Sequence, residues 1–322
     1  MLTGGSLNSL GVDRLDLAWY IEAKQRLEPD EFLARIPEVQ RFAQVEERTF
    51  RRLHSHALTA ADWLGLLREV EGLLEEGYDG VVVGHGTNTI EETAYFLHLT
   101  LKREAPVVLV GGMRPSSGMS TDGELNVVNA VRVAADPAAR GRGALVVMND
   151  TIWSARDVTK TSTYRLQAFR APDAGPLGFA DADRIIWTHR LEQPHTAASE
   201  FDVSGLETLP RVDVVVSYVG ADGAMIDAAV AAGAEGIISA GTGAGRPTPL
   251  EDEALDRAAA GRVVVCQSSR VGSGRVVYAP ALQRRAFVAA GNLRPWKARV
   301  LLQLALTKTR DPAEIQQLFD RY

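Results

Sequence analysis

Short unbroken runs of apolar, mostly β-branched residues alternate along this chain with segments whose apolar residues recur every three or four positions. That alternation limits the possible folds more than any other feature. Continuous apolar runs predict strands buried on both faces, as in a parallel sheet covered by crossover helices. The predicted strands are Gly80–Val83, Pro106–Gly111, Gly143–Met148 and Arg184–Trp187, then Val212–Tyr218, Gly236–Ala240 and Arg262–Ser268. The predicted helices are Ala60–Glu76, Glu91–Lys102, Gly123–Ala135, Met225–Ala231, Leu250–Ala260 and Pro295–Leu306, each with one core-facing stripe. The chain is therefore expected to be α/β.

Between Arg190 and Leu209 the apolar periodicity lapses into a polar stretch with Pro194 inside it and Pro210 at its end. It reads as a linker. The 322 residues also suit two cores better than one. The expected division is a larger α/β domain over 1–192, a linker over 193–209 and a smaller α/β domain over 210–322. At the other end, Met1 to Ser6 read as the last residues of a strand and its turn. A strand needs about five or six residues. The expectation is that the assigned start lies downstream of the true one, or that the chain has been truncated.

Bulk properties exclude several functions. A formal charge of −6 with no basic run argues against nucleic acid as a partner. No apolar run approaches the length of a membrane span, and no signal-like segment opens the chain, so a cytoplasmic location is expected. Cys266 is the only cysteine, follows an apolar run, and reads as a buried strand thiol. His98, His189 and His195 are scattered without metal-ligand spacing, Trp187 and Trp296 read as packing residues, and Arg156 and Asp157 as a local ion pair.

Four turns carry hydroxyls, amides or a lysine at the ends of predicted elements. Thr3-Gly4-Gly5-Ser6 combines a glycine turn with a hydroxyl. His85-Gly86-Thr87-Asn88-Thr89 leads from a strand into a helix, with Thr89 or Asn88 suited to the N-cap and Glu91 and Glu92 to the first turn. Gly111-Gly112-Met113-Arg114-Pro115 follows another strand. Met148-Asn149-Asp150-Thr151 precedes a loop bearing Lys160. Taken singly, each is an ordinary turn. In an open α/β sheet, however, strand-end turns are where active sites assemble.

In order and spacing, TGGS, HGTNTIEETAYFL, GGMRPSSGMSTDG and VVMNDTI with RDVTKT resemble the type I/II bacterial L-asparaginase family. The likeness continues through SSRVGSG and the last 32 residues, so it covers essentially the whole chain. It implies a larger flavodoxin-like parallel-sheet domain followed by a smaller α/β domain, assembled as a homotetramer of intimate dimers. It also implies hydrolysis of a small-molecule side-chain amide to the acid and ammonia, without cofactor or metal. By position, Ser6 stands where the family has its nucleophilic threonine, and Tyr20 where its activating tyrosine lies. Thr87 and Lys160 match a hydroxyl–lysine pair for proton transfer, and Ser55 the serine that holds the substrate's α-carboxylate. The chemistry is sound by itself: amide hydrolysis needs an activated oxygen, a base and donors for the oxyanion. The backbone around Gly86, Thr87 and Gly112 could supply those donors.

Three departures concern the substrate's α-ammonium, which the family holds with a glutamine, the turn aspartate and a glutamate from a neighbouring subunit. Here the first two positions are His56 and Asn88, and the segment after SSRVGSG, RVVYAPALQ, has no acidic residue. Charge-assisted hydrogen bonds contribute about 1.5–3 kcal/mol, against about 1 for neutral ones. Losing two carboxylates predicts a penalty of about a hundredfold or more on ammonium binding. The expected substrate is an amide acid without a free α-ammonium. Conventional asparaginase activity and a non-catalytic ligand-binding homologue are the competing readings. The related subunit that amidates glutamyl-tRNA is disfavoured, since the chain lacks an N-terminal extension and a basic face.

Overall fold

The computed structural model describes residues 1–51 and 53–322. Its contacts divide into two compact units, Met1–Ser204 and Gly205–Tyr322.

The first unit is built on a six-stranded sheet in the order Ile185–Trp187, Gly178–Ala180, Thr151–Ser154, Ala144–Met148, Val107–Val110, Val81–Gly84. The last three pair in parallel, and every residue of Ala144–Met148 and Val107–Val110 is buried. This is the predicted parallel core. The other pairings are antiparallel, so Ile185–Trp187 corrects the expectation of one more parallel strand. The cause is local. Asn149 and Asp150 both have positive φ, 52° and 59°, the requirement of a two-residue hairpin whose twist suits the strands it joins. Met148 therefore pairs directly with Thr151. The four-residue TIWS and three-residue GFA strands are too short to show a period.

Helix Gly123–Ala135 packs Val127, Ala130 and Val131 against Val108, Val110, Leu145 and Val147 of the sheet. Helix Ile90–Thr100 is buried on nearly every side, which fits its many large apolar residues. It packs against helix Ala60–Glu75 and the turn Thr196–Ala198. That turn lies in the polar segment read as a linker, where Thr196, Ser199, Phe201 and Val203 are buried. Lys102 Nζ donates to the Ser199 carbonyl at 2.5 Å. At the sheet edge, Leu2 bridges both Thr49 and Gly84 in parallel, and the Met1 amine donates to the Val82 carbonyl at 2.8 Å. This pairing carries the Thr3–Ser6 turn to the carboxyl ends of the strands.

The second unit holds a four-stranded parallel sheet, Val212–Val216, Gly236–Gly241, Val264–Ser269 and Val288–Ala289. Helix Pro295–Leu306 lies against the sheet, and Ala224–Ala231 packs with Pro249–Ala260 over a core of Ile226, Ile237, Leu255, Val265 and Phe287. Cys266 is buried in its strand, and burial pushes its thiol pKa far up. The two-residue strand Val288–Ala289 and the short helices Pro29–Ala34 and Pro280–Arg284 are too brief to show a period. The further helix Pro312–Arg321 carries one, with Ile315, Leu318 and Phe319 buried at helical spacing. Trp187 packs as expected, with the Arg142 guanidinium 3.9 Å from its ring centre. Trp296 is instead 42% exposed.

Candidate active site

Two turns are pressed together where the strands of the first unit end. Gly4 and Gly5 have φ of 114° and 105°, a region that side chains avoid. A Cβ on Gly5 would stand 2.5 Å from Gly86 Cα, and one on Gly4 2.5 Å from the Leu53 carbonyl oxygen. Glycine is thus required for backbone-to-backbone contact, and that contact sets Ser6 beside the Gly86–Thr87 turn. Ser6 begins the short turn Ser6–Asn8 and is buried, its hydroxyl donating to the Gly112 carbonyl. Asp122 accepts from the Met113 and Arg114 amides and Asn126 donates to Gly111, which fixes the loop carrying that carbonyl.

Tyr20 turns its phenol toward the Ser6 hydroxyl. Burial raises the phenol pKa more than the Ser6 contact lowers it, so the proton is held firmly.

Thr87 is buried at the head of the next strand-end turn, and Lys160 Nζ lies 2.8 Å from its Oγ1 and 3.2 Å from Asn88 Oδ1. Lys160 comes from the two-residue strand Thr159–Lys160, paired antiparallel with Phe169–Arg170. Glu91, buried in the first turn of the following helix, accepts from the Lys160 amide at 3.2 Å. Burial lowers the Lys160 amine pKa, with Glu91 acting in the opposite sense. The Arg156–Asp157 ion pair is present at 2.8 Å in the same loop.

Ser55 opens the turn Ser55–Ala57 and is buried against Gly86, where an added Cβ would meet its Oγ at 2.6 Å. Thr89 is the helix N-cap, as expected, but its side chain does not cap. Its hydroxyl donates to the Ser55 carbonyl at 2.8 Å and locks the two turns together. His56 and Asn88 are exposed at the rim. The His54 and His56 rings stack at 5.3 Å, and Arg26 Nη2 lies 2.6 Å from His54 Nε2. Burial lowers the His54 pKa, and Arg26 and His56 lower it further.

The structure therefore gathers Ser6 with Tyr20, Thr87 with Lys160 and Asn88, and Ser55 with His56, around the turn at Gly86. Periodicity and composition missed the Gly112 acceptor, the Glu91 contact and the Arg26–His54 pair. Glu91 reads in sequence as an ordinary helix-start charge, and nothing distinguishes Arg26 until folding pairs Ser9 with it. His98 and His195, far apart in sequence, bring their rings to 4.9 Å, away from these turns. Among the described residues no helix is long and apolar enough to cross a membrane.

Comparison with known proteins agrees along the whole length. Residues 3–193 match the family model for the asparaginase N-terminal domain, and 211–319 that for the glutaminase/asparaginase C-terminal domain. The chain is 41% identical to a probable periplasmic L-asparaginase of Haemophilus influenzae and 41% identical to L-asparaginase 2 of Escherichia coli. Each alignment covers 100% of this chain and 92% of the relative. A glutaminase-asparaginase of Pseudomonas fluorescens is 38% identical over 100% of this chain and 89% of its own. The crystal structure of a probable cytoplasmic L-asparaginase from Campylobacter jejuni superposes with a TM-score of 0.96 at 37% identity, covering 100% and 98% of the two chains. The four turns, the sheet they terminate and these matches agree that the chain belongs to the asparaginase family of amidohydrolases.

Proposed function

We propose that this amidohydrolase splits the side-chain amide of a small amide acid lacking a free α-ammonium, releasing the carboxylate and ammonia. In this reading Ser6 attacks the amide carbon while Tyr20, a protonated phenol, steers and relays the proton of that hydroxyl to the departing nitrogen. The C–N bond breaks to release ammonia, and water then hydrolyses the Ser6 ester to free the carboxylate and restore the hydroxyl. Thr87 and Lys160 form the proton-transfer pair, the amine acting in its neutral form. The amides of Thr87 and Gly112, which have no acceptor among the described residues, face the developing oxyanion. Ser55 holds the substrate carboxylate. The names of the relatives support the reaction class.

The observation that carries the substrate reading is Asn88. Its carbonyl oxygen is taken by Lys160, and neither it nor His56 offers a negative charge to an ammonium. The test is kcat/KM for free asparagine against succinamate and N-acylated asparagine, read by ammonia release. Succinamate or the acylated amide should be preferred. A clear preference for asparagine would restore the conventional asparaginase reading, and absence of turnover across the panel would restore the binding-protein reading. Asn88→Asp should move preference toward asparagine by about tenfold.

The same reading includes a homotetramer and a cytoplasmic location. One relative is named periplasmic and one structural neighbour cytoplasmic, so fractionation of the native cell decides location.

A further inference from the structure

The substrate reading leaves a cluster unused. Arg26 sits on the strand Gln25–Arg26, opposite Ser9 and three residues beyond the Ser6 position on the paired segment. His54 and His56 flank Ser55 on a separate segment, at the turn Ser55–Ala57. Two separate elements thus bring a guanidinium and two imidazoles to the edge of the carboxylate-holding serine. Arg26 Nη2 is within 2.6 Å of His54 Nε2 and 3.2 Å of Nδ1, and the imidazoles stack at 5.3 Å with 13° between their planes. Arg26 is half-buried and has no carboxylate partner among the described residues.

A half-buried arginine ordinarily finds an acid. Its planar fork carries five donors, and a ring nitrogen takes up only one part of it. Ser55, His56 and Asn88 beside this cluster carry no negative charge, and the carboxylates of Asp122 and Glu91 are engaged by the Met113 and Arg114 amides and by the Lys160 amide. The local field therefore favours an anion.

We propose that Arg26, His54 and His56 form an anion-binding rim next to Ser55, and that the substrate presents to it a second carboxylate where an amino acid has its ammonium. This rests on the reading that a free α-ammonium is not what the site recognises. The substrate class becomes amides of acids with two carboxylates on the carbon next to the amide-bearing methylene. Arg26 would hold that group by paired hydrogen bonds, with His54 fixing the guanidinium from behind and His56 closing the rim.

Three probes share one skeleton and differ only in the α-substituent: asparagine with ammonium, succinamate with hydrogen, and 2-(carbamoylmethyl)malonate with carboxylate. The expected order of kcat/KM is malonate, succinamate, asparagine, with the malonate ahead of succinamate by at least about tenfold, mainly through KM. Arg26→Gln should bring the malonate-to-succinamate ratio close to one, and Arg26→Lys should keep part of it. If Arg26→Gln does not fold, the lysine variant and the wild-type panel still decide. Succinamate ahead of asparagine with no gain for the malonate overturns the rim and leaves the ammonium reading standing. Asparagine ahead of both overturns that reading and the rim with it. A malonate preference that survives Arg26→Gln overturns the assignment to Arg26.

Discussion

Lys160 reaches Thr87 Oγ1 at 2.8 Å, and its other side-chain acceptor is the amide of Asn88 rather than a carboxylate. To take a proton from Thr87 the amine must be neutral, and burial makes that form accessible at lower pH than for a free lysine. Activity should therefore rise with pH and level off below the ordinary lysine value of 10.5. An aspartate at 88 would favour the charged amine, so Asn88→Asp should move the rising limb of the kcat profile to higher pH. A profile unchanged by that substitution would remove Lys160 from the role of base. Lys160→Met and Thr87→Ala should each lower kcat by about 10²–10⁴-fold with the fold intact by circular dichroism. Much of this was legible in the chain. Thr87, Lys160 and Asn88 stand out through the resemblance of their motifs to the asparaginase family, since each turn taken singly is ordinary. Glu91 was not, since a glutamate in the first turn of a helix is expected whether or not its carboxylate also anchors a catalytic loop.

The elements matter through their ends. The Thr3–Ser6 and His85–Thr89 turns touch backbone to backbone at Gly5 and Gly86, and Gly5→Ala combines a forbidden contact with a φ of 105°. We expect a loss of about 2–3 kcal/mol in stability and a larger proportional loss of activity, measured by denaturant melts and kcat/KM. Activity retained in a stable Gly5→Ala protein would show that this contact does not position Ser6. Beneath the second turn, His85 is fully buried with Nδ1 2.8 Å from the Gly86 carbonyl, and burial lowers its pKa to about 4. The unfolded chain, with an imidazole near 6.5, therefore takes up the proton first as pH falls. The stability tied to His85 is complete above about pH 6.5, drains away toward pH 4 and changes no further below, a total of about 3 kcal/mol. His85→Gln should flatten the Tm profile across that window. If the wild-type and variant slopes coincide, His85 is not the group responsible. Strand and helix positions of the parallel core were readable because buried runs and helical stripes are long enough to show a period. Of the antiparallel half, Ile185–Trp187 was readable as a strand though not in its direction. Thr151–Ser154 and Gly178–Ala180 were not, because neither carries the unbroken, mostly β-branched run that marks Val81–Gly84 and Val107–Val110.

At the scale of the whole molecule, the second unit leaves Val212–Val216 at the edge of its sheet, followed by exposed Tyr218, Val219 and Met225. An open edge beside exposed apolar residues favours self-association. The proposed homotetramer should give a solution mass four times the 34.8 kDa chain by light scattering, and Val219→Asp should lower it. A monomeric wild type would defeat this. The sequence by itself determined the α/β class, the central parallel strands and the four turns that carry hydroxyls, amide and lysine, because periodicity and glycine-rich punctuation are local properties. Only the tertiary structure decided which atoms of those turns meet. Ser6 donates to Gly112, Thr89 gives up its cap to bind Ser55, and Arg26 comes to lie on His54. Such contacts depend on strand register and on the close approach that glycine permits, and neither is written in any one segment.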